Sequence, residues 1–199
     1  MAVLSISICR WAGSRFKQLP RFWLAAVVLL SWSAPDSHAQ ASISPEYQIK
    51  AVFLFNFTQF VEWPSATFTN ADEPFCIGIL GADPFDAFLD ETVRGEKANG
   101  HPLVIQRYHN VEEAKNCQLL FVSRSESKRV DQILAGLKSR NVLTVSDIEG
   151  FAKNGGVIRF VNEQNKIHFR INLEAAKNAN LTISSQMLRL AEIVKPGAD

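Results

Sequence analysis

Four short apolar runs, separated by segments with helical spacing, constrain the fold of this chain more than any other feature. FCIGIL (Phe75–Leu80) is six residues long and apolar throughout. It is too short for a core helix and has no polar face, the pattern of a strand covered on both sides. Gly81 turns the chain, and Asp83-Pro84 is expected to cap a helix carrying Phe85, Phe88 and Leu89. A second strand is expected over residues 102–108, followed by a short polar helix over 111–116. CQLLFVS (117–123) forms the third strand, and a helix from Ser125 shows Val130, Ile133, Leu134 and Leu137 at helical spacing. Asn141 closes that helix and VLTVS forms a fourth strand. Alternating strands and helices are the signature of a parallel sheet with helices on both faces. The expected strand order is near 2-1-3-4.

The flanks complete this three-layer α/β domain. Ser44-Pro45-Glu46 supplies a capping hydroxyl, proline at the first helical position and an acid at the positive end of the dipole. The helix that follows, YQIKAVFLFNFTQFVEW, is apolar almost all round, so most of its faces must be covered or one must meet a partner. Trp63-Pro64 ends it. VIRFVN and KIHFRIN flank Glu163-Gln164-Asn165 as an antiparallel hairpin that extends the sheet. Strict alternation in the second run places Ile167, Phe169 and Ile171 inward, with His168, Arg170 and Asn172 outward. Two closing helices are expected near 173–178 and 184–194, the second with Met187, Leu188, Leu190, Ala191 and Val194.

The amino end has the three zones of an export signal. Arg10, Arg15, Lys17 and Arg21 precede an apolar run over 22–32, and Ser37-His38-Ala39 offers a small-x-small cleavage site before Gln40. The run is well short of the roughly 20 residues that span a bilayer. Residues 1–39 are therefore expected to be a cleaved leader and 40–199 a single exported domain; an uncleaved anchor is the alternative. The whole chain carries 21 basic and 20 acidic side chains; without the leader's four and one, 17 and 19 remain. A near-neutral domain lacks the basic stripe that nucleic acids demand. Cys9 leaves with the leader, and Cys76 and Cys117 remain at the starts of strands one and three. Those strands are neighbours in the expected order, about 4.8 Å apart, which a disulfide can span when the side chains point suitably. Two buried thiols are the alternative.

The signatures of catalysis are missing. GILGADPFD lacks a phosphate-loop fingerprint, and Asp83 and Asp147 do not cluster as a phosphoacceptor site would require. His101, His109 and His168 have no metal-ligand spacing, and neither a GxSxG elbow nor a CxxC pair occurs. The expectation is a non-enzyme with no cofactor and no metal. Arg159, His168, Arg170 and Asn172 form a polar stripe on the hairpin. It is either a solvated sheet face or a surface for a partner or anion, since two guanidinium groups near an imidazole can hold a carboxylate. A small-molecule sensor or solute-binding protein is the second functional class, motivated by this stripe and by the crevice at the carboxyl ends of parallel strands.

Several segments together, YQIKAVFLFNFTQFVEWP, FCIGILG, NVLTVSD, GGVIRFV, KIHFRINLEAA and LTISSQMLRLAEIV, resemble the YfiR family over about residues 44–195. The aromatic first helix ending in Trp-Pro and the INLEAA segment are the most specific. The resemblance implies a periplasmic α/β protein, commonly a homodimer. It also implies repression of an inner-membrane diguanylate cyclase through contact with the cyclase's periplasmic part, and sequestration by an outer-membrane lipoprotein. Cyclic di-GMP would rise when repression lifts. Cys76 and Cys117 match the family's stabilising bridge. A second bridge of some members has no counterpart, since 145–152 hold no cysteine. Partner contacts fall by region only, around Arg170, Asn172 and 181–188.

Overall fold

The computed structural model describes residues 44–70 and 72–195. The expected leader lies outside the described residues. Helix α1 (Pro45–Phe60) is followed by β1 (Val61–Glu62), β2 (Phe75–Leu80), α2 (Ala87–Val93), β3 (Lys97–Ala98) and β4 (His101–Tyr108). Then come β5 (Leu119–Val122), α3 (Val130–Gly136), β6 (Leu143–Ser146) and the hairpin of β7 (Ile158–Glu163) with β8 (Lys166–Asn172). The chain closes with α4 (Leu173–Asn178), β9 (Thr182–Ile183), α5 (Ser185–Leu188) and β10 (Glu192–Val194).

The main sheet has the order β10-β8-β7-β6-β5-β2-β4-β3. Strands β4, β2, β5 and β6 are the expected 2-1-3-4 set, all parallel, and β7 joins β6 in parallel before β8 folds back antiparallel. Two apolar cores follow from strand alternation. Phe75, Ile77 and Ile79 point to the layer of α1 and α2, where they meet Leu54, Phe57, Leu89, Phe121, Phe160 and Phe169. Leu80, Leu120 and Val122 point to the other layer, against Val130 and Ile133 of α3 and Leu137 just past its end. Phe53 and Phe57 pack α1 onto the hairpin, with ring centroids 5.3 to 6.0 Å from Phe160 and Phe169.

Four local expectations are corrected. Residues 184–194 are not one helix. Ser184 caps a single turn through Met187 N at 3.3 Å, and residues 192–194 leave the helix to pair in parallel with β8. The unpaired backbone of β8 outcompetes the local helical spacing, and Ile193-Val194 are β-branched. Asp83 starts a turn: its Oδ1 accepts from Phe85 N at 2.7 Å, and α2 begins only at Ala87. Ser44 precedes α1 without a side-chain capping bond. Asn172 is buried, because β8 passes into α4 there; its Oδ1 caps the helix at Ala175 N (2.9 Å) and its amide donates to Ala152 O (2.7 Å). A small second sheet, β1 with β9, was not expected and ties the end of α1 to the C-terminal segment.

Candidate interaction surface

In an open parallel sheet a ligand enters at the carboxyl ends of the strands, where the strand order reverses. Here that point lies between β2 and β5, and the chain fills it with its own side chains. Ala82 N donates to Ser125 Oγ at 2.9 Å. Gly81 has φ +91, and a Cβ placed there would meet Ser125 Oγ at 2.3 Å and Glu126 at 2.8 Å. Glu126 is 7% exposed and held by Arg129. The crevice that motivates the sensor reading is thus closed by the loop after β5.

Beside it, a buried ionic cluster pins the start of α1 to the end of β6. The Lys50 ammonium, 1% exposed, donates to Asp147 Oδ2 at 2.5 Å and to Glu46. Tyr47 Oη donates to the same Asp147 oxygen at 2.9 Å, Arg124 Nε lies 3.2 Å from it, and Asn162 donates to Glu46 at 2.8 Å. Burial works against ionisation of Glu46. Hydrogen bonds from Lys50 and Asn162, with the charges of Lys50 and Arg124, still hold its carboxyl below the ordinary range. Burial and the Asp147 carboxylate push the Tyr47 phenol up. The arrangement fixes the start of α1 against the end of β6, while the second Asp147 oxygen, Oδ1, is buried without a hydrogen-bond partner among the described residues.

The hairpin stripe is partly assembled. Arg159 and Arg170 stand directly opposite each other across β7 and β8, and His168 is exposed opposite Val161. Arg170 Nε donates to Glu192 Oε2 at 2.9 Å, and its guanidinium also lies 3.9 Å from Glu163. Like charges opposite one another are unfavourable in a ladder, so the two glutamates offset a pair that would otherwise repel. Asn172 is excluded from this surface by its capping role. The Glu192 contact had no signal in the sequence, because it depends on β10 joining the sheet edge.

Cys76 and Cys117 lie in the same buried cluster under α3, and their sulfurs are unbonded in this structure. Cys76 Sγ contacts Tyr108 Oη at 3.5 Å and Cys117 Sγ donates to Ala114 O at 3.0 Å. The backbones are adjacent, since Gln118 N donates to Cys76 O at 3.1 Å. Burial raises the pKa of both thiols. Of the histidines, His101 stacks on Phe68 with centroids 3.7 Å apart and bonds Glu73 O through Nδ1 at 2.7 Å. Among the described residues, no three His, Cys, Asp or Glu side chains gather as a metal site would need, and no helix is long and apolar enough to cross a membrane.

No curated protein matches the chain in sequence. Two solved structures align with part of the chain. The ABC domain in complex with L-Trp from Streptococcus pneumoniae is 12% identical, with a TM-score of 0.45, over 60% of this chain and 55% of that one. A conserved domain protein from Vibrio cholerae is 11% identical, with a TM-score of 0.43, over 60% and 54%. The chain thus spans about half the length of each. The profile of the YfiR/HmsC-like family, whose members are periplasmic regulators linked to diguanylate cyclases, matches residues 47–192. That match runs from α1 into β10 and takes in the aromatic helix, the parallel sheet and the hairpin alike, so the chain belongs to the YfiR/HmsC-like family.

Proposed function

We propose that this chain is a non-catalytic periplasmic repressor of an inner-membrane diguanylate cyclase, acting through contact with the cyclase's periplasmic part and lowering cyclic di-GMP. Family membership across residues 47–192 carries the reading. The filled strand crevice and the mutually neutralised ionic cluster support action by surface contact over action on a small molecule. In this account the leader is removed near Ala39, the mature protein is a homodimer, and an outer-membrane lipoprotein relieves repression by sequestering it. Cys76 and Cys117 form a bridge after export: the two thiols give up two protons and two electrons to a thiol–disulfide oxidase of that compartment. The partner surface includes Arg159, His168 and Arg170.

Deleting the gene and measuring cyclic di-GMP tests the central claim. A rise, reversed by the wild-type gene and not by one carrying His168→Glu and Arg170→Glu, is the expected result. Unchanged cyclic di-GMP in the deletion would sink the repressor reading. Full complementation by the double variant would move the contact elsewhere on the molecule.

A further inference from the structure

At the amino ends of β2 and β4, away from the filled crevice, the chain leaves an open hollow of about 500 Å3, within the range of small-ligand sites. Its wall is aromatic, lined by Trp63, Phe68 and His101. Trp63 is pinned from two sides: its Nε1 donates to Gln118 O at 3.1 Å, and its ring stands at right angles to Phe75 with centroids 4.8 Å apart. His101 stacks on Phe68, and its Nδ1 lies 2.7 Å from Glu73 O. A carbonyl only accepts, so Nδ1 holds the proton and Nε2 of the neutral ring is left as an acceptor.

The rim is polar. Glu62 at the end of β1, Ser65 and Asn99 are exposed along it. Asn99 is placed by a two-residue turn: Ala98 pairs with His101, and Asn99 and Gly100 have φ of +51° and +90°, the hairpin geometry that asparagine followed by glycine favours. Among the described residues no lysine or arginine lines the hollow.

This chemistry excludes most small ligands. A phosphate or carboxylate would meet the Glu62 charge with no guanidinium or ammonium to offset it. A proline-rich segment presents carbonyl acceptors, and the indole N–H that could bind them is spent on Gln118. A quaternary ammonium needs open ring faces around it, and one face of Phe68 is covered by His101. A purely apolar ligand would leave the carboxylate and amide of the rim desolvated and unpaired. The geometry points to a neutral sugar ring as the ligand. Its C–H face packs on the indole, while its hydroxyls donate to Glu62 and to Nε2 of His101 and exchange hydrogen bonds with the Asn99 amide. The inference stands apart from the repressor reading, which concerns the hairpin and not this end of the sheet.

Trp63 supplies its own reporter. The other tryptophans, Trp11, Trp23 and Trp32, fall within the expected leader, so tryptophan emission from the exported, processed protein comes from this site alone. Titration with neutral hexoses, N-acetylglucosamine and its β-linked trimer is expected to give a saturable change in that emission with at least one of them. Asn99→Gly keeps the positive-φ turn and removes the amide, and Glu62→Ala removes the carboxylate. Each is expected to raise the dissociation constant at least about fivefold, as loss of a ligand hydrogen bond does, and to keep the wild-type melting curve because both positions are exposed. Lys128→Glu, past the opposite end of β5, leaves binding unchanged. Tighter binding of the trimer than of the monosaccharide identifies the ligand as a unit of a glycan chain, and equal binding identifies it as a free sugar; either upholds the site. Emission unmoved by every sugar overturns the inference. So does a saturable change that both variants leave intact, or one produced by choline or a proline-rich peptide in place of the sugars.

Discussion

Lys50 illustrates how single residues hold this fold. An ammonium 1% exposed is tolerated because Asp147 and Glu46 both pair with it, and the attraction offsets a desolvation cost of several kcal/mol. Glu46 makes the arrangement sensitive to acid. Its folded pKa lies below the ordinary 4.5, so the stability it contributes is complete above about pH 4.5 and is lost as the pH falls through the folded value. Thermal melts at successively lower pH are expected to show a drop in Tm that begins below about pH 4.5 and is smaller in Glu46→Gln; equal slopes would remove Glu46 from the account. The cysteines make the second case. Burial keeps both thiols protonated at neutral pH, so they react slowly unless an oxidase acts. Intact-mass measurement without reductant, on protein recovered from the periplasm, is expected to show the loss of two hydrogens. Reduction should then cost about 3 to 4 kcal/mol in urea unfolding, the chain-entropy value for a loop of about forty residues.

At the scale of elements, the parallel strands were legible because both of their faces are buried: FCIGIL and LLFV carry no polar position, and their length rules out helices. The last element was not. Met187, Leu188, Leu190, Ala191 and Val194 have helical spacing, but only β8, a neighbour from elsewhere in the sequence, decides that residues 192–194 become a strand. Asn172 shows the same limit. Alternation along β8 points it outward, while the turn into α4 recruits it as a buried cap. Asn172→Ala is expected to destabilise the domain by about 2 to 3 kcal/mol, combining loss of a cap with an unsatisfied Ala152 carbonyl. Asn172→Asp, which keeps the cap but sets a buried carboxylate oxygen against the Ala152 carbonyl, should cost at least as much. Chemical denaturation with unchanged m-values is the measurement.

For the whole molecule, the layers and their closures shape function together. Two helical layers cover the parallel strands, the outer face of the hairpin stays open at His168, the loop after β5 packs into the strand crevice, and the large exposed apolar side chains lie on α1 and the lead into β10. In the proposed function such a molecule communicates through its surface, and repression is read in cyclic di-GMP after gene deletion.

What the sequence determined by itself was whatever depends on nearest neighbours along the chain: the apolar runs that must be strands, the order of strands and helices, the hairpin, and the resemblance that proved to be family membership. Tertiary structure alone decided which groups meet. Lys50 and Asp147 are 97 residues apart, Arg170 and Glu192 are 22 apart, and Ser125 reaches back to Ala82. Contacts of that kind leave no periodic trace, because the energy that selects them comes from desolvation and pairing at distant points of a finished sheet. The sequence marked α1 as too apolar for a helix with one wet face; only the packed domain showed which face remains bare.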